Sequence, residues 1–543
     1  MNRRNYNIYF HLHTITGIIS AVLLFVIFFA GSFSFFKSDI EAWENNSSYK
    51  ANPLATGKYQ KLLDSLDQAI GLYGRNINLL SYENSLNSYV YITTSKDTLN
   101  NPNAKETRSF VYNSQEHSQK TYAEAYSLSE FLYRLHFLAQ LNIIPLPFRV
   151  SPFGYLIAGL TAFVFLMALI TGILIHWDKI ISNFYLFRPW SKIKTMWTDI
   201  HTVLGTIGLP FQLIYAITGF VLIVNVIVLG PFSSVAYKNE TPKMYNDLNI
   251  NLDVSKYDFK NQKMLFIPNV DSITAVTNAS WGNGRIKSVA INNYGDENMV
   301  IAIQGFSPPK ENFSSFGKAI YEAKTERFIY LKDAVKETSY VDVIYSLIYK
   351  LHYGNYGGYF LKAISFILGA LGCLVMASGI MIWFSARDKN NIASKKRKFN
   401  FWATNIFLST CLSMLPVTAI SFIIVKLDLG SGQSFLYHVY FYTWLAFSIF
   451  YIFRKNLSKA IKEIFLISSV LALIVPIVNG ITTGNWVWKT AAKGMVDILI
   501  IDLLWIFIAV VSILSFLRLK NKQVKPVSRR HSVLTKLRDV NYL

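Results

Sequence analysis

His13-Thr14-Ile15-Thr16-Gly17 returns almost unchanged as His201-Thr202-Val203-Leu204-Gly205, and Tyr133-Arg134-Leu135-His136-Phe137 returns as Tyr349-Lys350-Leu351-His352-Tyr353. Each match is short, but the two occur in the same order, and each keeps its place relative to a long apolar segment. Ordered self-similarity of this kind indicates an internal repeat. The sequence therefore predicts a duplicated unit that carries a histidine at each matching point.

The composition is that of an integral membrane protein. The chain has 543 residues, of which 52% are hydrophobic and 15% aromatic, and this excludes a single soluble domain. Spanning a hydrocarbon core of about 30 Å takes roughly 20 apolar residues in a helix. Eight runs meet that length and predict an α-helical protein of about eight spans: 8–36, 152–176, 201–229, 358–384, 401–425, 436–453, 464–482 and 496–517.

The basic residues predict the orientation of these spans. The N-terminus, the loops 177–200, 385–400 and 454–463, and the tail from residue 518 together hold 24 Lys and Arg against 5 Asp and Glu. An excess of Lys and Arg marks cytoplasmic loops, so both termini are expected in the cytoplasm of a bacterial inner-membrane protein. The net charge of +21 then reflects topology, and the expected partner of the basic residues is membrane lipid, not nucleic acid.

Two polar segments, 37–135 and 230–345, interrupt the spans and are expected outside the cytoplasm. The first contains a helical pattern at 59–70 followed by alternating strand-like runs at 88–92 and 109–112. The second contains strand-like runs at 263–267, 286–291 and 299–303. Both segments therefore predict α+β domains, and the repeated unit is a span, an extracytoplasmic domain and a second span.

The remaining boundaries follow from this unit. A first span covers 1–36, a membrane-edge segment with spans two and three covers 136–229, and the fourth span covers 346–386. A basic loop at 387–400 leads to a C-terminal four-span region, 401–517, that matches nothing else in the chain, and a basic tail occupies 518–543. The first copy also carries about nine additional residues after His136, which we place near residues 144–147.

The repeated histidines predict two metal or haem sites. His13 and His201 each begin a span and have a glycine, Gly17 or Gly205, four residues later on the same helix face, where it leaves room for a flat macrocycle. His136 and His352 come just before the returning spans, at the outer membrane edge. Pairing like with like places one pair near each face, and two facing imidazoles can fill both axial positions of a haem iron.

The other candidate ligands favour haem that is not covalently attached. The two cysteines, Cys373 and Cys411, lie in predicted spans and form no CxxCH motif, so a haem would be of the b type. A pair of histidines without nearby Cys, Asp or Glu makes an incomplete zinc or copper shell. His176 is a fifth candidate near the inner face, but its counterpart in the second copy is Trp383, which favours packing beside the site over ligation.

The chain resembles the PepSY-associated transmembrane family, iron-regulated bacterial inner-membrane proteins that include ferric-siderophore reductases. The resemblance covers roughly residues 8–386. It rests on the ordered set of matches at 13–17, 135–136, 171–172, 201–205, 218–219 and 351–358. It implies PepSY-like folds for the extracytoplasmic domains, two b-type haems in the spans, and an oxidoreductase that delivers electrons to an extracytoplasmic ferric chelate.

The donor and two alternative functions stay open at this stage. The cytoplasmic loops are short and no GxGxxG follows a strand, so the donor is expected to be membrane quinol or a separate soluble protein. Asp497 and Asp502 in the last span could serve a proton path or a polar contact between helices. The alternatives are a regulatory or peptide-binding membrane protein with structural histidines, and a transporter. No residue is assigned a catalytic role.

Overall fold

The computed structural model describes residues 2–519 except 49–58, 82–86, 115, 146–151, 186, 189–190, 248–253, 255–256, 307, 309–311, 315, 334, 390 and 455. Residues 520–543 of the predicted tail and residues 146–147 of the predicted insertion thus lie outside the described residues. Among the described residues, eight helical stretches are long and apolar enough to cross a membrane, which agrees with the predicted number of spans. They are Arg3–Ser34, Phe153–Ser182, Lys194–Ile223, Asn355–Arg387, Ser394–Lys426, Gly432–Phe453, Leu457–Thr483 and Val496–Arg518.

Four long helices from the two copies form the core of the repeated region. They are α1 (Arg3–Ser34), α5 (Phe153–His176), α7 (Ile193–Tyr237) and α11 (Gly358–Arg387). Each packs against two of the others, in the cyclic order α1, α5, α7, α11. Each copy thus supplies two neighbouring helices, and its first helix also contacts the other copy, which brings the repeated histidines within reach of one another.

The two polar segments build one antiparallel sheet of eight strands. The first segment supplies β1 (Ile77–Ser81), β2 (Asn87–Ile92), β3 (Arg108–Asn113) and β4 (Ser118–Lys120). The second supplies β5 (Arg285–Asn292), β6 (Val300–Phe306), β7 (Phe316–Glu322) and β8 (Arg327–Lys332). The order is β4-β3-β2-β1-β5-β6-β7-β8, and β1 pairs with β5 through Ile77 and Ile291 at the centre. Both segments are α+β as predicted, and the structure adds that they share a sheet.

Two helices cover one face of this sheet. α3 (Tyr59–Ile70) buries the apolar positions that repeat at three- and four-residue spacing, and α9 (Val270–Ser280) packs beside it. Arg75 connects the loops at the edge of this core by hydrogen bonds, and its side chain is fully buried. Its guanidinium donates to backbone carbonyl groups in two loops, at Gly71 before β1 and at Thr93, Asn103 and Glu106 between β2 and β3.

The expected strand at 263–267 is wrong. These residues form a loop in which a single bridge joins Lys263 to Asp296. The Asp296 carboxylate accepts the backbone N–H groups of Lys260 and Gln262, which bends the chain around the β5–β6 turn. The apolar run misled the prediction because Leu265 is fully exposed and does not alternate into a core.

The C-terminal region is a bundle that docks on the repeated region through α2 (Lys37–Glu44). Its helices are α12 (Ser394–Lys426), α13 (Gly432–Phe453), α14 (Leu457–Thr483), the short α15 (Val487–Ala492) and α16 (Val496–Arg518). Trp43 of α2 is fully buried against this bundle, and its indole N–H donates to Asp502 of α16 at 2.8 Å. Asn479 of α14 donates to the same carboxylate at 2.9 Å.

The remaining short helices lie next to the membrane or on the sheet side. α4 (Leu128–His136) and α10 (Tyr340–Tyr353) precede the second spans of the two copies, and each ends at or just after a repeated histidine. α6 (Ile180–Phe184) follows α5, and α8 (Thr241–Asp247) follows α7. Because α4 and α10 lead from the sheet to the membrane, they carry His136 and His352 at the sheet side of the bundle.

Candidate functional site: two facing histidine pairs

The structure brings the four repeated histidines together as two pairs. The ring centres of His13 and His201 lie 6.1 Å apart, with ring planes at 75°. Those of His136 and His352 lie 5.9 Å apart, with planes at 39°. The pairs occupy opposite ends of the bundle: His136 reaches Ile27 of α1, and the rise of 1.5 Å per residue separates Ile27 from His13 by about 21 Å.

Each histidine rests on a glycine of a neighbouring helix. A Cβ added to Gly172 would lie 3.2 Å from His13 Cε1, and one added to Gly379 would lie 3.3 Å from His201 Cε1. The corresponding distance is 3.4 Å from Gly219 to His352 Cε1 and 2.8 Å from Gly31 to His136 Cε1. A Cβ would clash with the ring at Gly31, would be a tight contact at Gly172 and Gly379, and would be an ordinary contact at Gly219, so each imidazole lies close to a helix backbone.

The Nδ1 atom of each ring is held by the helix on which the ring rests. His13 bonds the carbonyl oxygen of Ala168 at 2.9 Å, and His201 bonds that of Val375 at 3.0 Å. His136 bonds the carbonyl oxygen of Ile27 at 2.8 Å. In these three cases the carbonyl lies four residues before the glycine, and we call this glycine-and-acceptor combination a histidine seat. In the fourth seat, His352 bonds the hydroxyl of Thr218 at 2.9 Å.

These bonds orient the rings as metal ligands are oriented. A carbonyl oxygen can only accept, so Nδ1 carries the proton and Nε2 keeps its lone pair. The Nε2 atoms of the four histidines make no hydrogen bond within the described part of the chain. A histidine whose other ring nitrogen donates to a carbonyl is the usual arrangement for a metal-bound imidazole.

The separation of the rings fits one metal ion between each pair. A first-row metal lies about 2 Å from an imidazole nitrogen, and the ring centre lies about 1 Å beyond it, so two axial rings have centres about 6 Å apart. Both observed distances, 6.1 and 5.9 Å, match this value. Among the described residues no group of three or more His, Cys, Asp or Glu could hold a metal ion. The residues present thus fit a metal whose remaining ligands come from a cofactor.

Burial favours the neutral form of both histidines of the pair on the sheet side. Burial lowers the pKa of His136, and the bond to the Ile27 carbonyl opposes this only in part. Burial and the nearby His136 together lower the pKa of His352 to about 3. Two neutral rings each offer a lone pair, as ligation requires.

The pair away from the sheet opens into a cavity of about 420 Å³. Gly17 and Gly205 line it, and a Cβ at either would meet no atom within 4 Å, so both leave the space that a macrocycle needs. Lys194 and Arg387 also line it, and cations there could neutralise carboxylate groups of a bound haem. The buried Nε2 of Gln212, another lining residue, has no hydrogen-bond partner among the described residues.

The remaining histidines named below and the aspartate of the last span fall outside the two pairs. His176 and Trp383 both line the cavity, in keeping with their predicted position beside the inner pair. His11 and His438 are exposed, and His117 bonds Tyr112 on β3. The bonds of Asp502 to Trp43 and Asn479 join three helices, which favours the polar-contact interpretation of this residue.

Sequence reasoning missed the histidine seats, although their signal was present. A hydroxyl residue followed by glycine occurs at 171–172, 218–219 and 378–379, and all three glycines support a histidine from another helix. Gly31 has no such hydroxyl before it, which explains why its role was not recognised. The ion pairs on the helix that carries His136 were also missed: Glu130 contacts Lys37 at 3.0 Å and Arg134 at 2.7 Å.

Comparison with known families identifies the repeated region. The model of the PepSY-associated TM region matches residues 10–386, which is more than half of the chain and includes all four paired histidines. No curated protein matches the sequence. The family match ends at the close of α11, so α12 to α16 lie outside it.

Proposed function

Because the chain belongs to the PepSY-associated transmembrane family, we propose that it is a membrane oxidoreductase that carries electrons through two b-type haems. The acceptor is a ferric chelate of the siderophore class on the extracytoplasmic side, and the reaction serves iron uptake. The sheet lies on that side, and both termini lie in the cytoplasm of a bacterial inner membrane. The basic residues of the opposite loops support this orientation.

The observation that carries the proposal is the geometry of the histidine pairs. Four imidazoles approach each other two by two, with ring centres 6.1 and 5.9 Å apart, and each Nδ1 is bonded to a neighbouring helix. Structural histidines would need neither the spacing of a shared metal nor the repeated seats. A regulatory or transport role leaves this repetition without a reason.

In this proposal the haem ligands are His13 with His201, and His136 with His352. A haem held by these histidine pairs would supply a one-electron Fe(III)/Fe(II) couple, and with two histidines as ligands it would favour electron transfer over binding of external ligands. Gly17 and Gly205 leave room for the macrocycle, and the seats hold the rings in one tautomer. The apolar interior between the two pairs excludes water from the path.

Electrons enter at the side of His13 and His201 and leave at the side of His136 and His352. A membrane quinol gives up two electrons and two protons, so that its oxidation reduces two ferric ions; a soluble cytoplasmic donor would enter at the same end. Each ferric chelate takes one electron and releases or retains its iron as Fe(II).

The test follows the electrons with the purified protein in lipid nanodiscs. The protein is reduced with a short-chain quinol, or with dithionite as the donor-independent arm, and a ferric chelate is added while the b-type bands are recorded. We expect the bands to reoxidise as Fe(II) appears in a colorimetric trap. The control is the His136→Ala, His352→Ala double variant, in which Fe(II) formation should stop. Reduced bands that persist in the presence of ferric chelates would refute the proposed acceptor.

A further inference from the structure

The fourth histidine seat differs from the other three in its acceptor. Where His13, His136 and His201 bond backbone carbonyls, His352 bonds the side-chain oxygen of Thr218 at 2.9 Å. By the rule of the other seats, the acceptor would be the carbonyl of Tyr215, four residues before Gly219. Instead the Tyr215 ring packs edge-on against His352, with ring centres 6.0 Å apart.

The direction of the Thr218 hydrogen bond is fixed by its second contact. Thr218 Oγ1 lies 2.6 Å from the carbonyl oxygen of Ile214, which can only accept. The hydroxyl proton therefore points to Ile214, and the lone pairs of Oγ1 face His352. Thr218 is 5% exposed, so water does not compete for this site. The Nδ1 proton of His352 is thus held by an alcohol oxygen.

The hydroxyl groups at the equivalent positions of the inner pair have a lesser role. Thr171 lies 3.4 Å from His13 Nδ1, and its hydroxyl donates to the carbonyls of Met167 and Ala168, the second of which also accepts from the ring. Ser378 lies 3.3 Å from His201 Nδ1 and donates to Val375. In both seats the carbonyl is the nearer acceptor, so Thr218 alone among the three replaces it.

We propose that Thr218 is a positioning residue that orients His352 and tunes the reduction potential of the outer site. This inference rests on the proposed haem function. A hydrogen bond from Nδ1 to an acceptor makes the imidazole a stronger donor and stabilises the ferric state. An alcohol oxygen carries less negative charge than a peptide carbonyl, so it strengthens the ligand less. The reduction potential of the site held by His136 and His352 is therefore higher than it would be with a carbonyl acceptor. A higher potential at this site favours transfer of electrons towards the sheet side.

The test measures the midpoint potentials of both haems in Thr218→Val and Thr218→Ser. Valine keeps the shape of threonine but removes the hydrogen-bond acceptor. The equilibrium between the ferric and ferrous states of the outer haem should then shift about tenfold towards the ferrous state, which raises its midpoint potential by about 59 mV for one electron. Serine keeps the hydroxyl and should hold the outer potential near the wild-type value. The outer wave is assigned as the one that disappears in His352→Ala.

The matched control is Thr171→Val in the inner seat. Because His13 keeps its Ala168 carbonyl, the inner potential should shift much less than the outer potential does in Thr218→Val. An unchanged or lowered outer potential in Thr218→Val would overturn the inference, as would an equal shift in Thr171→Val. Absence of b-type bands from the wild-type protein would instead refute the proposed function itself, so the two failures are distinguishable.

Discussion

Replacing Gly31 by alanine tests whether the histidine seats hold the cofactor ligands. The new Cβ would lie 2.5 Å from Nδ1 of His136, whereas ordinary van der Waals contact begins near 3.4 Å. The ring must therefore move by about 0.9 Å, or α1 must shift by as much. A ring displaced that far loses both the bond of its Nδ1 to the Ile27 carbonyl and a bond about 2 Å long from its Nε2 to a metal.

The stability of α1 itself should not decide the result. Alanine is favoured over glycine in a helix interior by about 1 kcal/mol. The added Cβ overpacks the site at a cost of about 1–3 kcal/mol, and displacement of the His136 ring relieves this overpacking. We therefore expect Gly31→Ala to fold and insert, to lose one of the two haems, and to keep the spectrum of the other.

The assay is the ratio of extractable haem to protein, together with the reduced-minus-oxidised spectrum. The matched control is Gly219→Ala in the same outer site, where the added Cβ would lie 3.4 Å from His352 Cε1, an ordinary contact. This variant should keep both haems. Full haem content in Gly31→Ala, or equal loss in Gly219→Ala, would show that the seats do not position the ligands.

Two further predictions concern the stability of the sheet side. Replacing Arg75 by alanine leaves several buried carbonyls without a donor, and this should lower the free energy of unfolding of the sheet by at least about 3 kcal/mol. Circular dichroism should then show a thermal transition at a lower temperature, while the haem bands are retained. An unchanged transition would contradict the role given to this residue. Burial pushes the pKa of Glu130 up, but Lys37 and Arg134 outweigh it and lower the pKa from 4.5 to about 2. The ionised Glu130 therefore stabilises the protein fully above pH 4.5, and this stabilisation is lost as the pH falls towards 2. Glu130→Gln should destabilise the protein at pH 7 and progressively less below pH 4.5. A difference in stability between wild type and variant that is independent of pH across this window would refute the ion-pair account.

The membrane organisation could be predicted from the sequence because it depends on local composition. A run of about 20 apolar residues is sufficient to predict a span, and the ordered repeat predicted which histidines would meet. The pairing of His13 with His201 required only that like elements of the two copies lie at the same membrane face. The structure places both pairs as this argument predicted.

The shared sheet could not be predicted because it depends on a contact between distant segments. β1 and β5 are separated by about two hundred residues and by the six helices α4 to α9, and nothing in either strand indicates its partner. The strand predicted at 263–267 is wrong for a related reason. The conformation of the preceding backbone is set by hydrogen bonds to the buried Asp296 carboxylate, which lies in another part of the chain. The acceptor of His352 is likewise a tertiary contact that spacing does not reveal.

The most direct test of the central claim is the haem content of histidine variants of the purified protein. We predict b-type bands with two haems per wild-type chain, after expression with haem supplied. His136→Ala and His352→Ala should each remove the same haem, and His13→Ala and His201→Ala should each remove the other, while the exposed His11→Ala keeps both. Four independent partial losses would contradict the pairing, and a wild-type protein without b-type bands would contradict the redox function.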